Sequence, residues 1–184
     1  MLLAFHKPFG VLSQFTRDGS PHRTLAEFNF PPEVYPLGRL DADSEGLLLL
    51  SDERHLNDLF LNPKQAHPRT YWVQVENIPT PASLLQLEKG VLIQGYQTLP
   101  AKAALIYPEI PPRNPPIRFR KNIPDSWIEL TLTEGKNRQV RRMTAAINHP
   151  TLRLIRVQIG HLQLHPLKSG TWRVLSTTEQ KNIF

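Results

Sequence analysis

Not one of the 184 residues is cysteine. That excludes a disulfide framework, a thiolate metal site and a cysteine nucleophile together, and it is the usage expected of a protein held in a reducing cytoplasm. Long apolar runs are missing as well. Met1-Leu2-Leu3-Ala4-Phe5 gives way at once to His6-Lys7-Pro8, so neither a signal peptide nor a membrane span is expected. No tandem repeat or low-complexity tail is present. Carboxylates are the scarcer charge: 16 Asp and Glu against 22 Lys and Arg leave a formal net charge of +6. That sign favours polyanionic partners, because lysine and arginine gain affinity by displacing counterions from phosphates.

What is present suffices for a substantial core. The chain is 40% hydrophobic, and its length suits one domain or two fused halves. Its 18 prolines mark loop edges and keep long helices rare. Tyr71-Trp72-Val73-Gln74-Val75 alternates with Tyr71, Val73 and Val75 on one face, which predicts a half-buried strand. Trp127 to Thr133 alternates in the same way. Leu152 to Ile159 reads as a third strand and Leu99 to Tyr107 as a fourth. Three helices are signposted. One starts at Thr80-Pro81 and stops at Gly90, one runs from about Glu53 to Leu61 with Leu56, Leu59 and Phe60 packing inward, and one begins near Asn137. The last would turn Val140, Thr144 and Ile147 inward and align Arg138, Arg141 and Ala145 on an adjacent stripe. The expected fold class is α+β: a mixed, largely antiparallel sheet flanked by short helices, with Pro108 to Pro116 as a stiff external loop.

Two segments carry chemistry. The first is Gly38-Arg39-Leu40-Asp41-Ala42-Asp43-Ser44-Glu45-Gly46, running straight into Leu47-Leu48-Leu49-Leu50. Its acids nearly fit the start of a calcium-binding EF-hand loop, but such a loop needs flanking amphipathic helices, and the leucine run reads as a buried strand. A plain acidic turn built from Asp, Ser and Gly is a second reading. A third makes one carboxylate a catalytic nucleophile or base at a strand edge, kept ionised by a cation such as Arg141. Asp41, Asp43 and Glu45 as magnesium ligands of a nuclease, and a non-catalytic RNA-binding module, are the rivals to that chemistry.

The second segment is Glu134-Gly135-Lys136-Asn137-Arg138-Gln139-Val140-Arg141-Arg142-Met143. A strand-to-helix junction of this kind offers backbone N–H groups and guanidinium forks to phosphates. Basic residues also gather at Arg113, Arg118, Arg120 and Lys121 and at Arg153, Arg156 and Lys168, and three such clusters point to nucleic acid. Of the seven histidines, only His161 and His165 are read as sharing a strand face at close spacing, and with no cysteine or acid beside them no metal site is expected.

Taken together, these motifs resemble the small-ribosomal-subunit pseudouridine synthase A family. The likeness runs from His6-Lys7-Pro8 through Gly38-Arg39-Leu40-Asp41, Glu45-Gly46-Leu47, Thr70-Tyr71, Arg113-Asn114-Pro115-Pro116 and the Gly135 to Met143 segment to Leu152-Arg153-Leu154-Ile155-Arg156. It implies the catalytic fold of that family, two half-subdomains with the active site in the cleft between them. It also implies a single catalytic domain over residues 1–184, without the small S4-like RNA-binding domain that precedes it in many relatives. By resemblance Asp41 is the catalytic aspartate, Tyr71 the active-site tyrosine and Arg141 the arginine paired with Asp41. Arg39, Arg69, Lys136, Arg138 and Arg142 would bind substrate, with Arg69 standing where many relatives carry lysine. The implied reaction isomerises a uridine, flipped from its stack, within large-subunit (23S) ribosomal RNA. It needs no cofactor and no metal, and the expected enzyme is a cytoplasmic monomer with no membrane partner.

Overall fold

The computed structural model describes residues 1–62, 67–117, 122–181 and 183. In chain order its strands are β1 (Leu2–Lys7), β2 (Tyr35–Leu37), β3 (Glu45–Ser51), β4 (Arg69–Glu76), β5 (Leu92–Ile93) and β6 (Tyr96–Gln97). These are followed by β7 (Lys102–Ile106), β8 (Asp125–Leu132), β9 (Thr151–Ile159), β10 (Leu162–Gln163) and β11 (Trp172–Val174). The α-helices are α1 (His55–Leu61), α2 (Pro81–Lys89), α3 (Gln139–Ala146) and α4 (Thr177–Lys181). The chain divides into two compact units, Met1–His67 with Ile155–Phe184, and Pro68–Leu154. The expected α+β class with short helices is what the structure has.

In the first unit β1 pairs antiparallel with β11 on one side and with β3 on the other, and β2 also pairs antiparallel with β3. The part of β9 that belongs to this unit runs parallel to the start of β3, with Glu45 opposite Ile155 and Gly46 opposite Arg156. Leu47, Leu48, Leu49 and Leu50 are all fully buried, as the uninterrupted leucine run predicts for a strand covered on both faces. Each such side chain contributes on the order of 2 kcal/mol of hydrophobic stabilisation. Leu48 and Leu50 join Leu3, Phe5, Val11, Leu25, Val34 and Leu40 in one core. Gly46 has no alternative. Its φ is +106°, and a Cβ there would lie 2.3 Å from the Arg156 carbonyl oxygen.

The second unit is built on β4, β8 and β7, paired antiparallel in that order. Tyr71, Val73 and Val75 alternate inward from β4, join Ile128, Leu130 and Leu132 of β8, and meet Val140, Met143 and Ile147 from α3 and its cap. Thr80 caps α2 by accepting the Ser83 N–H at 3.1 Å, with Pro81 in the first turn and Gly90 at φ +87° after the last, as read from the sequence. Strand β8 starts at Asp125, two residues before the expected position, and β7 is shorter than the predicted Leu99 to Tyr107. In α1 only Phe60 is buried; Leu59 is exposed, because the helix is seven residues long and presents little more than one turn to the core.

Three expectations are corrected here. Helix α3 begins at Gln139, and Arg138 caps it in the left-handed conformation at φ 50°, ψ 30°, so Arg138 does not continue a helical stripe with Arg141. Arg153 and Arg156 belong to the interior rather than to a basic surface: they are 8% and 4% exposed. Arg153 donates to the Pro111 carbonyl at 2.8 Å, and Arg156 Nε donates to the Leu47 carbonyl at 2.7 Å. His161 and His165 sit in turns on either side of β10 instead of on one strand face. Arg118, Arg120 and Lys121 lie outside the described residues.

Candidate active site

The acidic turn is held by the segment that follows β1. Ser13 Oγ donates to the Leu40 carbonyl at 2.7 Å and accepts the Leu40 N–H at 3.0 Å. Two residues further on, the Gly10 N–H donates to the Ala42 carbonyl at 2.7 Å, and Ser44 N–H closes the turn onto the Asp41 carbonyl at 3.0 Å. At its entry the Asn57 side chain accepts the Gly38 N–H at 3.1 Å. Asp41 thus stands, half-buried, between two residues whose peptide groups are tied to another segment.

The turn leads into two interior cations. Lys7 of β1 and Arg156 of β9 flank Gly46 from opposite sides of β3. Lys7 has no exposed surface, and its ammonium donates to the carbonyls of Pro8 at 3.0 Å and Val11 at 2.7 Å. Burial lowers it to about 7, while Glu45, Asp43 and Asp41, in that order, pull it back up. Glu45 is only 5% exposed. A carboxylate that dry needs a nearby cation, and Lys7 supplies one.

The basic segment stands on the second unit and is organised by Glu134. Its carboxylate accepts from Tyr96 O–H at 2.6 Å, from the Leu99 N–H at 2.8 Å and from Gln139 Nε2 at 2.6 Å. The buried Gln139 amide in turn accepts the Lys136 N–H at 2.8 Å. Tyr96 titrates above its ordinary value because its hydroxyl donates to Glu134. Lys136 Nζ lies 4.4 Å from the centre of the Tyr96 ring, and Arg142 donates to the Asn137 side chain at 3.1 Å. A methyl group on Gly135 would come within 3.8 Å of Arg69 Nη1, so Arg69 lies against the same loop. Tyr71 is 9% exposed and packs in the core that Val140 and Met143 share. Arg39 and Asp41 therefore belong to the first unit, and Arg69, Tyr71, Lys136, Arg138, Arg141 and Arg142 to the second.

Among the described residues no group of three or more His, Asp or Glu side chains is arranged to hold a metal ion. Nor is any helix of the described residues long and apolar enough to cross a membrane. His161 and His165 instead line an open pocket with Gln163, Arg173 and Glu179. There Arg173 grips Glu179 through two nitrogens at 3.0 and 2.6 Å and holds its carboxyl down at about 2.

Residues 1–146 match the RNA pseudouridylate synthase family. The chain belongs to that family. It is 52% identical over 177 residues to ribosomal large subunit pseudouridine synthase E of Xanthomonas campestris pv. campestris, covering 95% of each chain. Its identity to the protein of the same name from Vibrio vulnificus is 49%, over 95% of this chain and 75% of that one. A crystal structure of a pseudouridylate synthase superposes with a TM-score of 0.82 at 26% identity, over all of this chain and 73% of that one. The chain is thus an isomerase acting on uridine in RNA, and its fold is that of the pseudouridine synthases.

The sequence pattern singles out Asp41 and the basic segment but not every group that supports each of them. Lys7 left a signal: it continues the inward alternation Leu3, Phe5, Lys7, and a lysine at an apolar register position marks a buried charge. Ser13 and Glu134 left none, because their partners Leu40 and Tyr96 are 27 and 38 residues away, beyond any local pattern.

Proposed function

We propose that this enzyme converts a uridine of large-subunit (23S) ribosomal RNA to pseudouridine in the cytoplasm, acting as a monomer, with Asp41 as the catalytic carboxylate. The observation that carries the substrate is the 52% identity, over 95% of both chains, to a protein named for the large ribosomal subunit. The reaction breaks the bond from ribose carbon 1′ to uracil nitrogen 1 and makes one from carbon 1′ to carbon 5. Nitrogen 1 gains a proton, and carbon 5 loses its hydrogen to solvent.

Asp41 attacks or stabilises the electron-poor centre left when the glycosidic bond opens. In this reading Arg141 serves the reaction as a fixed positive charge, and Tyr71 packs against the freed base. Lys136, Arg138, Arg142 and Arg69 bind phosphates, and their contacts offset the few kcal/mol that unstacking the base costs. Arg39, exposed beside Asp41, binds phosphate or fills the space the base vacates.

Asp41→Asn is the test. It is expected to abolish release of tritium from a ribosomal RNA transcript labelled at uracil carbon 5, with RNA binding retained; undiminished release would remove the assignment. Mapping pseudouridines in 23S RNA from cells with and without the gene identifies the position, and identical maps would overturn the choice of substrate.

A further inference from the structure

We infer that Ser13 is a positioning residue for the reaction, fixing the backbone that carries Asp41; this rests on Asp41 being the catalytic carboxylate. The Leu40 carbonyl belongs to the peptide unit that includes the Asp41 N–H. Ser13 Oγ donates to that carbonyl at 2.7 Å while accepting the Leu40 N–H at 3.0 Å, so one hydroxyl grips both sides of the residue preceding Asp41. On the far side, the Ala42 carbonyl is held by the Gly10 N–H at 2.7 Å. Residues 10 and 13 of one short segment therefore pin the peptide unit that precedes the aspartate and the one that follows Ala42.

The clamp is dry. Ser13 is 6% and Leu40 8% exposed, so water does not readily take over either hydrogen bond. Val11, between the two pinning residues, and Leu40 itself are both part of the first unit's core. The platform therefore moves with the core rather than with the surface. A carboxylate that must meet the reacting atoms, as nucleophile or as stabilising charge, tolerates little displacement, and misplacement by about 1 Å costs on the order of 100-fold in rate. Ser13 and Leu40 are buried and offer RNA almost no surface, so the effect of losing the clamp is expected to fall on turnover.

Ser13→Ala removes both hydrogen bonds, and Ser13→Cys keeps the site filled while weakening both. With RNA labelled at uracil carbon 5, Ser13→Ala is expected to lower kcat by roughly 10- to 100-fold, with KM and the RNA dissociation constant within about twofold of wild type. Ser13→Cys should fall between the two. The control Ser126→Ala removes a more exposed hydroxyl-to-carbonyl bond, to Asn77 at 2.6 Å in the other unit, and should leave kcat unchanged. A purely structural role for Ser13 predicts a lower melting temperature with normal kcat for the folded fraction. That result overturns the inference, as does a loss of RNA affinity equal to the loss of kcat. If Ser13→Ala does not fold, Ser13→Cys decides: wild-type kcat from it refutes the clamp. Asp41→Asn run alongside separates the two levels, since full activity there removes the underlying reading, whereas an inactive Asp41→Asn with a fully active Ser13→Ala removes only the clamp.

Discussion

Lys7→Met tests the electrostatics beneath the acidic turn. Lys7 has no exposed surface, and burial, with a small contribution from Arg156, lowers it from 10.5 to about 7 against the pull of three carboxylates. A fall of that size weakens the charged form by about 5 kcal/mol relative to the unfolded chain. The direction in pH follows from proton counting. Between about pH 7 and pH 10.5 the unfolded chain holds the Lys7 proton and the folded chain has released it, so stability rises with pH through that window. Below it both states are protonated, and the whole cost of burying the charge is carried. Methionine has similar length and does not titrate, so the difference in unfolding free energy between wild type and Lys7→Met cancels the titrations the two proteins share. That difference is expected to climb by about 2 kcal/mol in favour of wild type from pH 7 to pH 9, approaching about 1.4 kcal/mol per pH unit, and to level off below pH 6. The slope carries the test, because the substitution also strands the Pro8 and Val11 carbonyls at about 1–3 kcal/mol each, whatever the pH. Urea titrations at half-unit pH intervals supply the measurement. A difference that stays level from pH 6 to pH 9 would mean the carboxylates keep Lys7 charged throughout, and the reasoning would be refuted.

Gly46→Ala should destabilise the chain by about 3 kcal/mol or more, through both a positive φ and a backbone collision. Its Cβ would lie 2.3 Å from the Arg156 oxygen and 2.6 Å from its nitrogen, and a variant with wild-type denaturant midpoint would contradict the β3–β9 contact. Lys136→Ala and Arg153→Met separate surface cations from interior ones. The first should reduce the salt dependence of RNA binding by about one phosphate contact. The second should leave that slope alone and lower the melting temperature, because Arg153 is spent on the Pro111 carbonyl; equal effects on RNA binding would erase the distinction.

Alternation was a dependable guide where one face of a strand meets solvent or polar partners. In β4 the outward residues Trp72 and Gln74 bond to Glu129 and Asp125 of β8 while Tyr71, Val73 and Val75 go inward, and the sequence pattern shows that division directly. Charge counting served less well, since an arginine is drawn inside when a carbonyl meets its guanidinium, as Leu47 does for Arg156. The start of α3 was misread for a related reason. Periodicity alone lets Arg138 continue the helix, but the Gln139 amide occupies the Lys136 N–H and ties the junction back to Glu134, and the chain enters the helix through a left-handed residue instead. Side chains that satisfy main-chain groups from a distance leave no period to detect.

The acidic turn shows how three similar residues come to different uses. Glu45 lies in the sheet, 5% exposed, next to the glycine that Lys7 and Arg156 flank, and it is the first of the carboxylates that raise Lys7. It serves the interior, because a buried ammonium and a buried carboxylate each lower the cost of the other. Asp41 lies four residues earlier, half-buried, where Ser13 and Gly10 fix the main chain on either side of it. Exchanging their environments would fail on both counts: a carboxylate at 45 cannot meet a substrate, and one at 41 without Glu45 behind it would share the turn with a less compensated buried lysine. The order Asp-Ala-Asp-Ser-Glu-Gly is therefore a gradient from accessible acid to buried counter-charge, and the four leucines that follow hold its buried end in the sheet.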